Sequence, residues 1–468
     1  MANQPHANKV VAMSAQVAEF YKDKRPFKVF HGSTNSTRVL QFKKDELLDI
    51  SSLNSVLSID EKNRVARVEP NVPMDRLVSA TLQHGLIPPV VMEFPGITVG
   101  GAIQGNGGES SSFKYGAFDQ TVKSHEIITG DGTVLTASAE HNSDLFYSIP
   151  GTAGTLGILT SAEINLIPAK KYVWLQYEPV DGFASAQRVI EESCKDATID
   201  FIDGIMFSAT HGVIIKGQLQ DTPQKPTRFR RARDQWYYLH VSNWLAAHPD
   251  GWEESVPLVD YLFRYDRGAF WVGRFAFEMA KVPYTRFMRW LLDPVLHTRK
   301  LYQALQESGQ SQQHIVQDLT LPKETFVEFC EYIDKELAIY PLWLCPMGVN
   351  PKATFQLNNL PTPLIINVGV WGNRIPDYDD FVTKNRAIEQ KVLALRGKKW
   401  SYAYSFFTEK EFWQMYDKQS YIALRKKYHS ENLPTIHDKI TVKTRVPIHK
   451  KKAFLKTLLG IARINIAK

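Results

Sequence analysis

Cysteine is scarce: the 468-residue chain holds three, Cys194, Cys330 and Cys345. They are too few and too scattered for a disulfide framework or a zinc site, so three reduced thiols and no bound metal are expected. No run of about 18 apolar residues occurs, and the opening Met-Ala-Asn-Gln-Pro-His-Ala-Asn-Lys-Val lacks the apolar core of a secretory leader. A protein made and kept on the cytosolic side is the expectation. Charge of one sign is only mildly in excess, 56 Lys and Arg against 49 Asp and Glu. The net +7 leaves room for anionic partners such as a pyrophosphate or an acidic membrane surface. No nucleic-acid-binding module or dense basic helix accompanies it, so no nucleic acid partner is expected. Two nucleotide signatures are missing as well, the phosphate loop ending in Gly-Lys-Ser/Thr and a Gly-x-Gly-x-x-Gly behind a convincing strand. A doubly wound NAD domain is not what the glycines describe.

What is present is glycine gathered into three short loops. Phe94 to Gly116 packs seven glycines with hydroxyl side chains, including Pro95, Gly96, Thr98, Val99, Gly100, Gly101, Gly105, Gly107, Ser110, Ser111, Ser112, Tyr115 and Gly116. That density reads as too high for a helix or a strand. It fits a backbone that must adopt positive φ or approach a ligand so closely that a Cβ would clash. His31, Gly32, Ser33, Thr34, Asn35, Ser36 and Thr37 form a second loop behind Val29-Phe30. Gly151 to Ile158, with Gly154, Thr155 and Gly157, forms a third before the strand-like Thr160 to Ile167. Each loop alone is compatible with a tight turn. Three in the first third of the chain point to a dinucleotide held by backbone amides.

The three loops resemble the vanillyl-alcohol-oxidase (PCMH) type of FAD-binding domain, whose two small α+β lobes trap the cofactor. Thr98-Val-Gly-Gly-Ala-Ile103, Glu109-Ser-Ser-Ser-Phe-Lys-Tyr-Gly116, Asn142-Ser-Asp-Leu-Phe-Tyr147 and Gly154 to Tyr172 are similar to runs of the sterol side-chain (delta-24) reductases. The likeness continues through Ile315-Val-Gln-Asp-Leu319, Tyr340-Pro-Leu-Trp-Leu-Cys-Pro346 and Glu411-Phe-Trp-Gln-Met-Tyr416. It implies FAD and NADPH as cofactors and a sterol or terpenoid as substrate. It also implies that the His31 loop wraps the pyrophosphate, with the hydroxyls of Ser33, Thr34, Ser36 and Thr37 as donors and Arg38 as added charge. Some relatives attach FAD covalently through a histidine near the end of this loop. Asn35 occupies that position here, so FAD is expected to be non-covalent and His31 structural. Many sterol side-chain reductases carry an N-terminal membrane anchor, and the absence of one here is a departure.

An α+β fold follows as the expectation, with residues 1–171 as the FAD domain and 172–399 as a substrate cap. Residues 400–468 would return to the flavin and end in a basic tail. Helices are expected at Val10 to Lys24 and Met74 to His84, a hairpin at Ser124 to Thr136, and a strand at Trp400 to Phe407. The cap is dense in aromatic residues, which by itself reads more often as core than as an apolar pocket. Arg264 to Lys300 and His449 to Arg463 interleave cations with apolar residues, as an in-plane membrane helix does and as a solvated helix face over a core also does. Peripheral contact with the endoplasmic reticulum membrane is one implication; oligomeric state is not legible.

An isolated alkene does not accept hydride unaided, because no carbonyl stabilises the carbanion. The site therefore needs an acid, an apolar wall and exclusion of water. Tyr402, Tyr404, His314 and Asp318 are the leading candidates for the acid, with Glu331 and Lys443 behind them and Trp343, Asn367 and Tyr416 as wall residues. An FAD-dependent oxidase or desaturase, and a flavoprotein turned to cyclisation or carriage, remain alternatives.

Overall fold

The computed structural model describes residues 5–32, 36–39, 41–223, 226–442, 445–448 and 465–467. Two antiparallel sheets organise them. The first contains β1 (Val56–Asp60), β2 (Val65–Val68), β3 (Val122–Ile128), β4 (Val134–Ser138) and β5 (Ile158–Asn165), in the spatial order β1-β2-β5-β3-β4. The second contains β6 (Tyr172–Val180), β7 (Phe201–Ser208), β8 (His211–Gln220), β9 (Trp252–Pro257), β10 (His314–Pro322), β11 (Leu342–Met347), β12 (Ile365–Arg374) and β13 (Lys398–Lys399). Its order is β9-β6-β8-β7-β11-β12-β10-β13. With helices set around both sheets, the molecule has the expected α+β, two-lobed PCMH-type architecture.

Period-two alternation sorts the second sheet into two faces. Ile315, Leu319 and Leu321 of β10, Leu342 and Leu344 of β11, and Ile366, Val368 and Val370 of β12 are buried in one cluster. Covering them are Ile190 of α4 (Phe183–Ser193), Phe326 and Phe329 of α8 (Lys323–Leu337) and Phe381 of α9 (Tyr378–Ala394). The intervening residues Val316, Asp318, Trp343, Asn367 and Trp371 line a cavity on the opposite face. Gly369 lies between the last two, and a Cβ there would stand 2.6 Å from the indole of Trp371, so glycine makes the room that ring occupies.

The first lobe is closed at one end by α1 (His6–Lys22), where His6 bonds Glu69 at 2.8 Å and Glu126 at 2.7 Å. After α2 (Met74–Leu82) the glycine-rich segment crosses to the second sheet, and here the structure corrects the sequence reading. The segment contains a short helix, α3 (Val99–Gln104), despite its glycine content. The Thr98 hydroxyl caps it by accepting from Gly101 N at 3.2 Å, and Gly100 packs so closely on Pro70 that a Cβ would lie 2.7 Å from that ring.

Two further expectations change. Trp400 to Phe407 is irregular rather than a strand. The segment 264–300 is no single in-plane helix: it breaks into short pieces including α5 (Gly273–Ala280) and α6 (Arg286–Leu291), and then enters α7 (Thr298–Ser308). Three of its cations, Arg264, Arg267 and Arg289, are buried. The basic segment expected at His449 to Arg463 and Lys443 lie outside the described residues.

The lobes are joined by charge as well as by packing. Arg264, with 0% side-chain exposure, bonds Glu109 of the glycine-rich segment at 3.0 Å and Asp203 of β7 at 2.9 Å. The Arg264 guanidinium also lies over the rings of Tyr261 at 4.1 Å and Tyr265 at 4.6 Å. Replacing it by methionine strands two buried carboxylates. Arg264→Met is expected to lower unfolding free energy by about 3–5 kcal/mol, read from the urea midpoint, whereas methionine at the exposed Arg274 leaves that midpoint nearly unchanged.

Candidate active site

Between the two lobes lies a cavity of about 800 Å³, within the range that holds cofactors and drug-sized ligands. One wall is bare backbone: Gly101, Gly105, Gly107 and Gly108. At Gly107 a Cβ would come 2.6 Å from Met92 Sδ and 3.3 Å from Ala102, so the backbone there packs directly on its own lobe. The opposite wall is aromatic. Phe270 stands 4.3 Å from Trp371 and 5.4 Å from Trp343, and the two indoles lie 5.8 Å apart. Phe270 holds φ at +59°, an unusual conformation for an aromatic residue. Its amide donates to Tyr265 O at 3.0 Å and its ring stacks on Tyr265 at 3.8 Å, which fixes the ring as part of the wall. A third side is aliphatic, from Ala276 and Met279 of α5 and Leu301 and Leu305 of α7.

One fully partnered polar group sits in this apolar surround. Asp318 on β10 accepts from Tyr402 Oη at 2.5 Å, Asn367 Nδ2 at 2.9 Å and Trp371 Nε1 at 3.2 Å. Burial raises its carboxyl to about 6, against the pull of those three donors toward the ionised form. Tyr402, whose phenol is raised by burial and by Asp318, is held by the first loop. Ser36 Oγ donates to Tyr402 O at 2.8 Å and Thr37 N to the same oxygen at 3.1 Å.

The sequence-predicted residues divide into three groups. His31, Ser36, Thr37, Thr98, Gly101, Gly105, Gly107, His314, Asp318 and Tyr402 share the cavity, as do Trp343 and Asn367. Gly32, Pro95, Gly96, Val99, Gly100, Ser110, Ser111, Ser112, Tyr115, Gly116, Gly154, Thr155, Gly157 and Ile158 stand outside its lining. Ser110 instead binds the carboxylate of Glu109 and meets Tyr261 Oη at 3.1 Å, and Thr155 accepts from Tyr421 Oη at 2.7 Å. Tyr404 is also outside, packed on Phe381 at 5.7 Å with its hydroxyl 3.0 Å from Ser311. Glu331 is exposed on α8. Ser33, Thr34 and Asn35 lie outside the described residues.

Arg38 does not reach toward a ligand. It is buried and donates to the carbonyls of Ala403, at 2.7 Å, and Ser401. The cation the sequence reading missed is Lys439, whose Nζ donates to Ala153 O beside Gly154. Burial, then Arg38 and Lys28, lower its ammonium to about 8, and burial followed by the Lys439 charge lowers His31 to about 4. Glu93 and Tyr302 of the cavity lining were also missed. A lone carboxylate in the apolar stretch from Ile87 to Phe94 was the available signal for Glu93.

These residues fit a flavin dinucleotide. Buried His31 Nδ1 and Thr37 Oγ1 have no hydrogen-bond partner among the described residues, and cations converge behind their loop. Gly101 offers backbone to the cavity where a Cβ would meet only Thr98 Oγ1, at 3.1 Å. A family model described as an FAD binding domain matches residues 7–138. Cytokinin dehydrogenase 4 of rice (Oryza sativa subsp. japonica) is 36% identical over 151 residues, 32% of this chain and 28% of its own. Gly101→Val, which puts a branched side chain into the cavity, is expected to abolish the flavin absorbance near ~450 nm while circular dichroism still reports a folded chain.

Longer similarities cover the cap as well. The human Delta(24)-sterol reductase is 32% identical over 414 residues, 87% of this chain and 80% of its own. The enzyme of that name from pea (Pisum sativum) is 30% identical over 418 residues, 81% of this chain and 73% of its own. With both lobes, the glycine backbone and the aromatic wall inside that shared span, the chain belongs to the Delta(24)-sterol reductase family and is an FAD-dependent oxidoreductase.

Proposed function

We propose that this protein reduces an isolated C=C bond in the side chain of a sterol or related terpenoid, with electrons from NADPH delivered through FAD. The observation that carries the reading is the cavity itself: an apolar chamber with bare glycine backbone on one side and Asp318, locked by three donors, on the other. When bound and reduced, the flavin supplies hydride to carbon. The chain supplies the rest. Phe270, Trp343 and Trp371 form an apolar wall beside a centre that becomes cationic, and Asp318, bonded to Trp371 Nε1 on the same sheet face, holds a negative charge there. Tyr402 and Asn367 keep that carboxylate from turning.

On this reading residues 1–171 hold the cofactor, 172–399 cap the substrate, and 400–468 close the site. The bonds from Ser36, Thr37 and Arg38 to residues 401–403 support the last assignment. Substrate arrives from a lipid surface, on the cytosolic face of the endoplasmic reticulum. Support comes from α6, which exposes Phe287, Trp290 and Leu291 next to exposed Lys281 and Arg286. The preceding residues Met279, Ala280 and Val282 line the cavity. Among the described residues no helix is long and apolar enough to cross a membrane.

Two experiments test these statements. Anaerobic mixing with NADPH is expected to bleach the flavin, and a sterol with an unsaturated side chain is expected to restore its colour and leave as a product with two more hydrogens. Bleaching by substrate, with a product two hydrogens poorer, supports an oxidase or desaturase instead, and no redox change with either supports a non-redox role. In flotation with vesicles containing phosphatidylserine, replacing Phe287, Trp290 and Leu291 together by serine is expected to lower the bound fraction at least ~10-fold. An unchanged fraction contradicts the docking assignment.

A further inference from the structure

Asp318 is poorly suited to be the acid that alkene reduction requires. All three of its hydrogen bonds are received from donors, an arrangement that favours the ionised carboxylate, and the Tyr402 proton is already committed to it. A second carboxyl faces the same cavity. Glu93, between buried Met92 and Phe94, lines the chamber and bonds no other side chain among the described residues.

We infer that Glu93 is the group that delivers the proton to the substrate alkene, with Asp318 as the fixed negative charge beside it. The inference rests on the reductase reading above. The balance is simple. The π pair of the alkene takes the Glu93 proton to make one C–H bond, the neighbouring carbon becomes cationic, and hydride from the reduced cofactor makes the second. Glu93 is left as a carboxylate and recovers its proton from solvent before the next turnover.

The surroundings keep Glu93 protonated until that moment. Charged and titratable groups face it from several elements: Glu109 in the glycine-rich segment, Asp318 on β10, Arg264 from the cap and Tyr302 on α7. Burial raises its carboxyl to about 8, with the negative charges of Glu109 and Asp318 adding to the rise and Arg264 opposing it. Its environment and that of Asp318 thus push two carboxyls of one site apart, the pattern by which acid and charge-stabilising roles are divided.

Three readouts test the assignment. In the oxidised FAD-loaded protein at pH 7, a protonated-carboxyl C=O stretch in the infrared difference spectrum is expected to disappear in Glu93→Gln. No such band overturns the inference regardless of the substrate. With flavin occupancy checked by absorbance, Glu93→Gln is expected to slow sterol-driven reoxidation of the reduced flavin ~100-fold or more, and an unchanged rate overturns it. In the unmodified protein the same rate is expected to fall about tenfold per pH unit above about 8. A flat profile there counts against Glu93 even if the variant does not fold. Failure of the unmodified protein to be reoxidised by any unsaturated sterol brings down the reductase reading instead, with the infrared band still reporting the state of Glu93.

Discussion

Arg264 bonds carboxylates from both lobes with no part of its side chain exposed, at 3.0 Å to Glu109 and 2.9 Å to Asp203. Burying a guanidinium is costly unless geometry and further bonds compensate, and three tyrosine rings, Tyr237, Tyr261 and Tyr265, surround this one. The arrangement reaches the cavity through each partner. Glu109 holds Ser110 and so anchors the end of the glycine-rich wall. Asp203 receives Tyr265 Oη at 2.7 Å and Trp343 Nε1 at 3.1 Å, which fixes one indole of the facing wall and the ring on which Phe270 stacks. Both walls are thus referenced to one cation, and their separation is set by it.

The chamber so held is asymmetric in chemistry. Backbone without side chains forms one side, and Phe270 with the indoles of Trp343 and Trp371 forms another. Polar groups come from both lobes, among them His31 and Glu93 from the first and His314 and Asp318 from the second sheet.

Much of this was legible before any coordinates. Glycine density marked a stretch of backbone of which Gly101, Gly105, Gly107 and Gly108 line the cavity, and the family likeness of Ile315 to Leu319 drew attention to Asp318, which lines it too. The rest was hidden for identifiable reasons. Trp400 to Phe407 alternates like a strand, but carbonyls of its residues 401–404 accept from Arg38, Ser36, Thr37 and Lys399, so no ladder forms. The helix Val99–Gln104 was masked by its own glycines, of which Gly100 packs against Pro70 and Gly101 lines the cavity. Lys439 comes from the far end of the chain to meet the Gly154 loop, a contact that no local pattern announces. Ser110 and Ser112, read as cofactor ligands, bond the carboxylate and the amide of Glu109.

The central claim is that cofactor and substrate meet in the chamber between the glycine backbone and the indoles. A crystal structure of the protein with FAD and an unsaturated sterol tests it most directly. The account predicts the flavin ring against Gly101 to Gly108 and the sterol side chain between it and Phe270, Trp343 and Trp371, with its double bond at the Asp318 end. A flavin ring or a sterol side chain bound outside that chamber contradicts it.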